Sequence, residues 1–455
     1  GLKPMGDYGG WFQVLPFGPG GFDSSASRLL AGGKPLSRSA EWIPMAPAAA
    51  GGIAGRVDLA GVPAVFAGRW GDTTVALDPL MFKGKVAVFV SSAVKRPPAR
   101  VLRCDSVPDK FGAQAAAAVE ATPAGARTST RDGRPRDTRA QVAGAAAVLV
   151  IGLDATSADS VRSAWTRRGA MQPAPDAAMA IGGATISRAA ATALFGKSTD
   201  QLAVGDVGQP VTAHWSYDWK LSATPARNVV AVLPGSDPAR AAEFVLVGAH
   251  NDHMRNSATA VDHDSLRAVN TVTRRQGAND PVCRPTVAQQ QRIDSLIARA
   301  RSIRPARRDS IMNGADDDGS GTVVLLEIAE RFATEKPARS IIFVSHNGEE
   351  GGLMGSRWFV DHPTVPLASI VAAHNMDMLG KGRADQVKFG GPSSVQTLGS
   401  RRLAREFGDI IDSVNATRGE VMAIDRSWDV PANPMNRFCR SDQVNYVSKD
   451  VPVTY

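Results

Sequence analysis

Four short stretches of this sequence bring metal-ligating side chains close together. In GAHNDH (248–253), Asp252 follows His250 by two residues. A neutral imidazole is a good zinc ligand, and its second nitrogen usually needs a carboxylate to fix the tautomer, a part Asp252 could play. In NGADDDGSG (313–321), three consecutive aspartates precede Gly-Ser-Gly. Such crowding is costly unless a cation neutralises it, although an acidic helix cap is a competing reading. The alternating ligands and distal Glu of an EF-hand are missing. In NGEEGGLMGS (347–356), Glu349 and Glu350 are adjacent, so one can bind metal while the other stays free as a general base. In HNMDMLG (374–380), Asp377 lies between two methionines, and a buried carboxylate is expensive unless paired or metal-bound. Taken singly, each stretch also fits an acidic turn or a surface ion pair. Together they suit a two-metal hydrolytic site, with ions roughly 3.5–4 Å apart.

The elements around these stretches give them a common address. Short apolar runs at Asn228–Leu233, Phe244–Val247, Ser340–Ser345 and Ser369–Ala373 suit strands buried on both faces. His250, the Glu pair and Asp377 each follow such a run, where ligand sites gather in open α/β sheets. Thr322–Thr334 follows the glycine turn and places Val323, Leu326, Ala329 and Ala333 on one helical stripe. Strands alternating with helices predict a three-layer α/β sandwich from about Val211 onward. Before it, β-rich runs at Val86–Val90 and Ala147–Ile151 alternate with Ala-rich helical stretches, and Thr122–Arg139 reads as an exposed polar loop.

Composition narrows the possible partners. Hydrophobic residues make up 43% and charged residues 21%, an ordinary globular balance. No apolar run approaches the roughly 20 residues a bilayer span needs. The net charge is +8. Between Met254 and Met312 there are eleven Arg against five Asp, with no Lys or Glu. Most of the excess is therefore local, which argues against a general nucleic-acid face. The segment reads as a basic insertion with one amphipathic helix carrying Ile293, Leu296, Ile297 and Ala300. It is either a solvated face or a basic rim that favours acidic substrates. Cys104, Cys283 and Cys439 are an odd count without metal-type spacing, so no disulfide framework is predicted.

In order and spelling, the four motifs resemble metallopeptidase family 28, the co-catalytic di-zinc aminopeptidases, across roughly Val211–Tyr455. The resemblance implies an α/β/α zinc-exopeptidase sandwich with an inserted β-rich protease-associated domain, which FKGKVAVFV (82–90) and VAGAAAVLVIG (142–152) resemble. The implied layout is an edge of the peptidase domain at 1–52, the inserted domain at 53–210 and the catalytic domain at 211–455, with the basic insertion at 254–312. Asp317 would bridge two zinc ions, His250 and Asp377 would hold one, and Glu350 the other. Glu349 would be the general base, Asp252 would orient His250, and Arg440 in RSDQVNY (440–446) would bind substrate. The implied activity is removal of N-terminal residues from peptides or proteins by a secreted or periplasmic enzyme. A carboxypeptidase or dipeptidase, a glutaminyl cyclase and an inactive receptor-like binding module share the fold.

Three departures qualify that picture. The family's fifth ligand is a His after the strand that begins here at Val451, and no His follows Asp377 in this sequence. The chain therefore reads as cut at both ends, with the second zinc one donor short and weakly held. Gln443 replaces a His usual in the family's motif, which bears on substrate shaping. His250 and Asp317 are separated by the basic insertion, which is expected to border the cleft.

Overall fold

The computed structural model describes residues 1–45, 53–54, 56–72, 74–91, 102–106, 137–166, 171–173, 181–254, 256–257, 259–274, 283–380, 393–426, 429 and 437–455. The chain divides into two compact units, one of residues 1–15, 97–125 and 226–455, the other of residues 16–96 and 126–225. Among the described residues no helix is long and apolar enough to cross a membrane.

The second unit is built on an extended mixed sheet. Val86–Ser91 runs parallel to Arg56–Trp70 on one side and to Ala147–Ile151 on the other. Successive residues of these strands enter opposite cores. Val86, Val88, Leu149 and Ile151 join Trp42 and Trp215, while Ala87, Phe89, Val148 and Val150 join Phe82. The expected borders at 53 and 210 are corrected. Phe17–Phe22 and Arg28–Ala31 both pair with Val207–Trp219, so this unit begins at 16 and runs to 225. Of the expected loop Thr122–Arg139, residues 122–136 lie outside the described residues. Its far end is not an exposed loop, because Asp137 is buried and its carboxylate takes the Arg139 guanidinium at 2.7 Å.

The first unit carries a seven-stranded sheet in which β1 (Arg227–Leu233), β2 (Phe244–His250), β3 (Ser340–His346), β4 (Ile370–Asn375) and β5 (Val453–Thr454) run in the order β1-β3-β2-β4-β5, with Lys3–Pro4 and Phe12–Val14 paired to β1. β2, β3, β4 and β5 are parallel and β1 is antiparallel to β3. Alternating residues again serve two cores. Val230, Leu246, Ile342 and Val344 pack with Phe359 of helix Met354–Asp361 and Tyr446 of helix Gln443–Val447. Ala231, Val247, Ile341 and Phe343 pack with Leu325 and Ala329 of helix Gly319–Glu335. A sheet with helices on both faces is the three-layer α/β/α sandwich that the continuous apolar runs require.

The helix Gly319–Glu335 presents a different stripe from the expected one. Val323 and Leu326 are exposed, and the buried series is Gly321, Leu325 and Ala329. Its capping residue sets this phase: Asp318 caps the first turn by accepting the Gly321 amide at 3.0 Å. A Cβ at 321 would lie 2.5 Å from Asp318 Oδ1 and 2.6 Å from the Met376 carbonyl, so only glycine lets the helix approach this closely.

The insertion is a helical hairpin, His263–Thr273 against Val287–Ile303, closed around Ala268, Val272 and Ile293. The expected amphipathic helix is the second of these. Arg301, Arg304 and Arg307 all reach Asp264, whose side chain is 3% exposed. These half-exposed guanidiniums are thus paired with one buried carboxylate and are not a free basic rim. The reading of the cysteines is also corrected. Leu102–Arg103 pairs with Cys283–Arg284, and this two-stranded ribbon joins Cys104 to Cys283 in a disulfide although 179 residues separate them. An odd count hid the pair, and the exposed Cys439 takes no part in it.

The hydrogen bonds of Arg304 and then Arg307 hold the Asp264 carboxyl well below the usual carboxylate range. A depressed folded-state pKa contributes stability above the unfolded value of about 4 and loses it as pH falls toward the folded value. Asp264→Asn is therefore expected to lower Tm at pH 7, with the gap from the natural protein narrowing as pH drops below about 4. Equal Tm values at pH 7 would show that the cluster adds nothing.

Candidate metal centre

The parallel strands β2, β3 and β4 deliver their C-terminal turns to one edge of the sheet. β2 and β3 are in register to their ends, His250 opposite His346, and Gly248 of β2 faces Asn375 of β4. Three sequence motifs distant in the chain thus end side by side. The fourth arrives with the N-terminus of helix Gly319–Glu335.

Asp318 joins these pieces. Its side chain accepts the amides of His250 at 3.1 Å, Gly321 at 3.0 Å and Met378 at 3.1 Å. The residue is 2% exposed. Burial, followed by the Asp377 charge, pushes its carboxyl up to about 8. The peptide bond between Asp317 and Asp318 is cis. Asp252 makes a second joint, where its carboxylate accepts the amides of Gly348 at 2.7 Å, Glu349 at 3.0 Å and Glu350 at 3.3 Å. It thereby fixes the turn that carries both glutamates.

His250 is 1% exposed. Its Nδ1 faces the Asp252 carbonyl at 3.0 Å and the Asp252 carboxylate at 3.7 Å. Its Nε2 lies 3.1 Å from Asp317 and 3.8 Å from Asp377. Burial opposes charge on this ring, yet Asp252, Asp317, Asp377 and Asp318 outweigh it and push the imidazole up to about 12. One imidazolium cannot balance four carboxylates, so the site has the electrostatics of a cation site. Glu349 is half-buried beside them. Burial, and then the charge of Asp442, pushes its carboxyl up to about 9.

The donors form two groups within which all ligand atoms lie within 4.8 Å: His250, Asp317 and Asp377, and His253, Asp317 and Glu350. Asp317 belongs to both. Neither His250 Nε2 nor His253 Nδ1 makes a directed hydrogen bond, although each is buried and close to a carboxylate. Ring nitrogens that approach carboxylates without pointing at them fit donors converging on a shared third point. The residues are a good match for zinc, which takes imidazole and carboxylate ligands.

The structure thus brings together His250, Asp252, Asp317, Glu349, Glu350 and Asp377. Arg440 is exposed on the turn ahead of helix Gln443–Val447 and belongs to neither donor group. Gln443 turns inward, donating to the Phe438 carbonyl at 2.6 Å and accepting from Asn375 at 3.2 Å. Sequence reasoning missed three residues. His253 lies 2.9 Å from Glu350; its signal was its place three residues after His250. Asp318 was hidden inside the triple aspartate. Asp442, fully buried, is hydrogen-bonded to Ser356 at the start of helix Met354–Asp361; its signal was its place in RSDQVNY, between Arg440 and Gln443.

Comparisons with known proteins bear on the same segment. Residues 292–455 match Peptidase family M28. A vacuolar membrane protease of Verticillium alfalfae is 28% identical over 218 residues, 45% of this chain and 21% of that protein. A probable zinc metalloprotease of Pyrenophora teres is 35% identical over 139 residues, 30% of this chain and 28% of its own length. Aminopeptidase YwaD of Bacillus subtilis is 34% identical over 112 residues, 23% of this chain and 24% of its own length. The chain thus spans less than a third of each of these relatives. Among solved structures, an aminopeptidase from Aneurinibacillus sp. strain AM-1 aligns over 97% of this chain and 74% of that one, at 13% identity and a TM-score of 0.37. The segment that matches peptidase family M28 contains Asp317, the glutamate pair and Asp377.

Proposed function

We propose that this chain is the catalytic part of a zinc-dependent aminopeptidase that removes N-terminal residues from peptides or proteins. The observation that carries the reading is Asp317, shared by two groups of imidazole and carboxylate donors. Two zinc ions would be held there, one on His250 and Asp377, the other on Glu350, with Asp317 between them. Bound zinc supplies a Lewis acid that acidifies water and polarises a carbonyl.

The chain's own residues do the rest. Glu349, next to the donor Glu350 and itself in neither donor group, takes the proton of the attacking water and returns it to the leaving amine. Asp252 positions Glu349 through the amides of the 348–350 turn and orients His250 from behind. The surplus of carboxylates favours the free ammonium of a peptide N-terminus, which places the first peptide bond at the reacting centre. Arg440, exposed near the inward-turned Asp442, is assigned to substrate binding. A carboxypeptidase reading draws on basic residues for a terminal carboxylate, and the pairing of Arg304 and Arg307 with Asp264 takes that support away. The bond between Cys104 and Cys283 supports an oxidising compartment, secreted or periplasmic. The β-rich second unit is assigned to the protease-associated type.

Hydrolysis of leucyl-p-nitroanilide, beside its N-acetylated form and with or without a chelator, tests the reading. Cleavage of the free amine alone, abolished by the chelator, is expected. Cleavage that persists in the chelator would refute a metal mechanism. Glu349→Gln is expected to lower kcat by about 10²–10⁴-fold with zinc content unchanged; retained activity would remove Glu349 from the chemistry. Asp252→Ala is expected to weaken zinc binding by about 10–100-fold, and an unaltered affinity would confine Asp252 to a structural part.

A further inference from the structure

We infer that the helical hairpin of the insertion is a fixed wall beside the metal centre that limits the enzyme to short peptides. The inference rests on the aminopeptidase reading and adds to it a limit on substrate length.

The neck of the insertion places the wall. His253 ends the turn after β2, where its Nδ1 lies 2.9 Å from Glu350. The returning arm meets the same side chain at Gly314, where φ is +62° and a Cβ would lie 2.8 Å from His253, so only glycine fits. From there outward the two arms are zipped together. Ser257 donates its amide to the Ser310 carbonyl at 2.7 Å, Val261–Asp262 pairs with Arg308–Asp309, and the His263 amide donates to the Arg307 carbonyl at 3.0 Å. Met254, Ile311 and Met312 stand exposed at the base of this ribbon. The part of the insertion next to the metal centre thus offers adaptable apolar side chains to a bound peptide.

Beyond the neck the hairpin is fastened twice more. The His263 imidazole lies 2.9 Å from Asp309, and Arg301, Arg304 and Arg307 converge on Asp264 at 3.3, 2.8 and 2.9 Å. These contacts lock the start of helix His263–Thr273 to the end of helix Val287–Ile303. The second helix has 17 residues and so spans about 25 Å away from the neck. At that far end Cys283 is bonded to Cys104, and Leu102–Arg103 pairs with Cys283–Arg284. A hairpin that served only to join His250 to Asp317 would need closure at the neck alone, which the ribbon already provides. Covalent fastening at the opposite end holds it in one orientation. A rigid element rooted at the metal centre clashes with chain that extends past it and leaves the first residues of a peptide free to bind.

The antiparallel pair of Val261–Asp262 with Arg308–Asp309 can be closed by a two-residue turn, so residues 264–306 can be replaced by Asn-Gly with the neck kept. The test measures kcat/KM for leucyl-p-nitroanilide, a leucyl dipeptide and a leucyl decapeptide. It compares the natural chain, the hairpin-less chain carrying Cys104→Ser, and the double variant Cys104→Ser with Cys283→Ser, with circular dichroism as the check on folding. The natural chain is expected to favour the dipeptide over the decapeptide by about tenfold or more. Both variants should lose most of that preference through faster decapeptide cleavage, with leucyl-p-nitroanilide cleavage staying within about twofold of the natural rate. Equal kcat/KM for dipeptide and decapeptide in the natural chain would overturn the inference, as would an unchanged preference in either variant once folded. A natural chain that cleaves none of the three would instead overturn the aminopeptidase reading beneath it.

Discussion

The buried carboxylate of Asp318 is the joint on which the metal centre depends. Amides from three separate parts of the chain, at His250, Gly321 and Met378, converge on it. Each belongs to an element that carries or adjoins a proposed ligand: β2 brings His250, the helix Gly319–Glu335 follows Asp317, and the turn after β4 brings Asp377. A buried carboxylate that accepts backbone amides is stabilised in its charged form, but here burial and Asp377 outweigh those bonds and raise its proton affinity. The joint is therefore costly, and a cation at Asp317 would relieve it. Positioning and electrostatics are thus one problem at this site.

The same logic separates structural charge from chemical charge. Asp264 in the insertion meets three arginines and needs nothing more. Asp252 is satisfied by three amides of the glutamate turn. The acids around His250 instead crowd one another. Counting charge by segment placed the surplus of arginine correctly, but only the fold shows that Asp264 takes up three of those guanidiniums.

Much of this was legible in the sequence because short-range rules governed it. Apolar runs of four to six residues marked β1 to β4, and the polar residues just beyond those runs pointed to His250, Glu349, Glu350 and Asp377. What was not legible depended on partners far away in the chain. The helix stripe at 323 and 326 was wrong because Asp318 and the close approach at Gly321 set the helix phase. Cys104 and Cys283 are 179 residues apart, so their pairing had no local signal. The β-rich unit starts earlier than expected because its first strands pair with Val207–Trp219, 180 or more residues later. His253 closes the first motif, and nothing near it in the sequence showed that Gly314 and Glu350 are brought against it.

The central claim is that the acids around Asp317 are arranged for zinc, and thermal unfolding of metal-stripped protein across a zinc titration tests it most directly. A ligand that binds only the folded state raises stability by about 2.7 kcal/mol when present at 100 times its Kd. The account predicts that Tm rises steadily with the logarithm of zinc concentration and returns to its starting value on chelation. A Tm that stays constant across the titration would contradict it, because the carboxylates around His250 would then be stable without any cation.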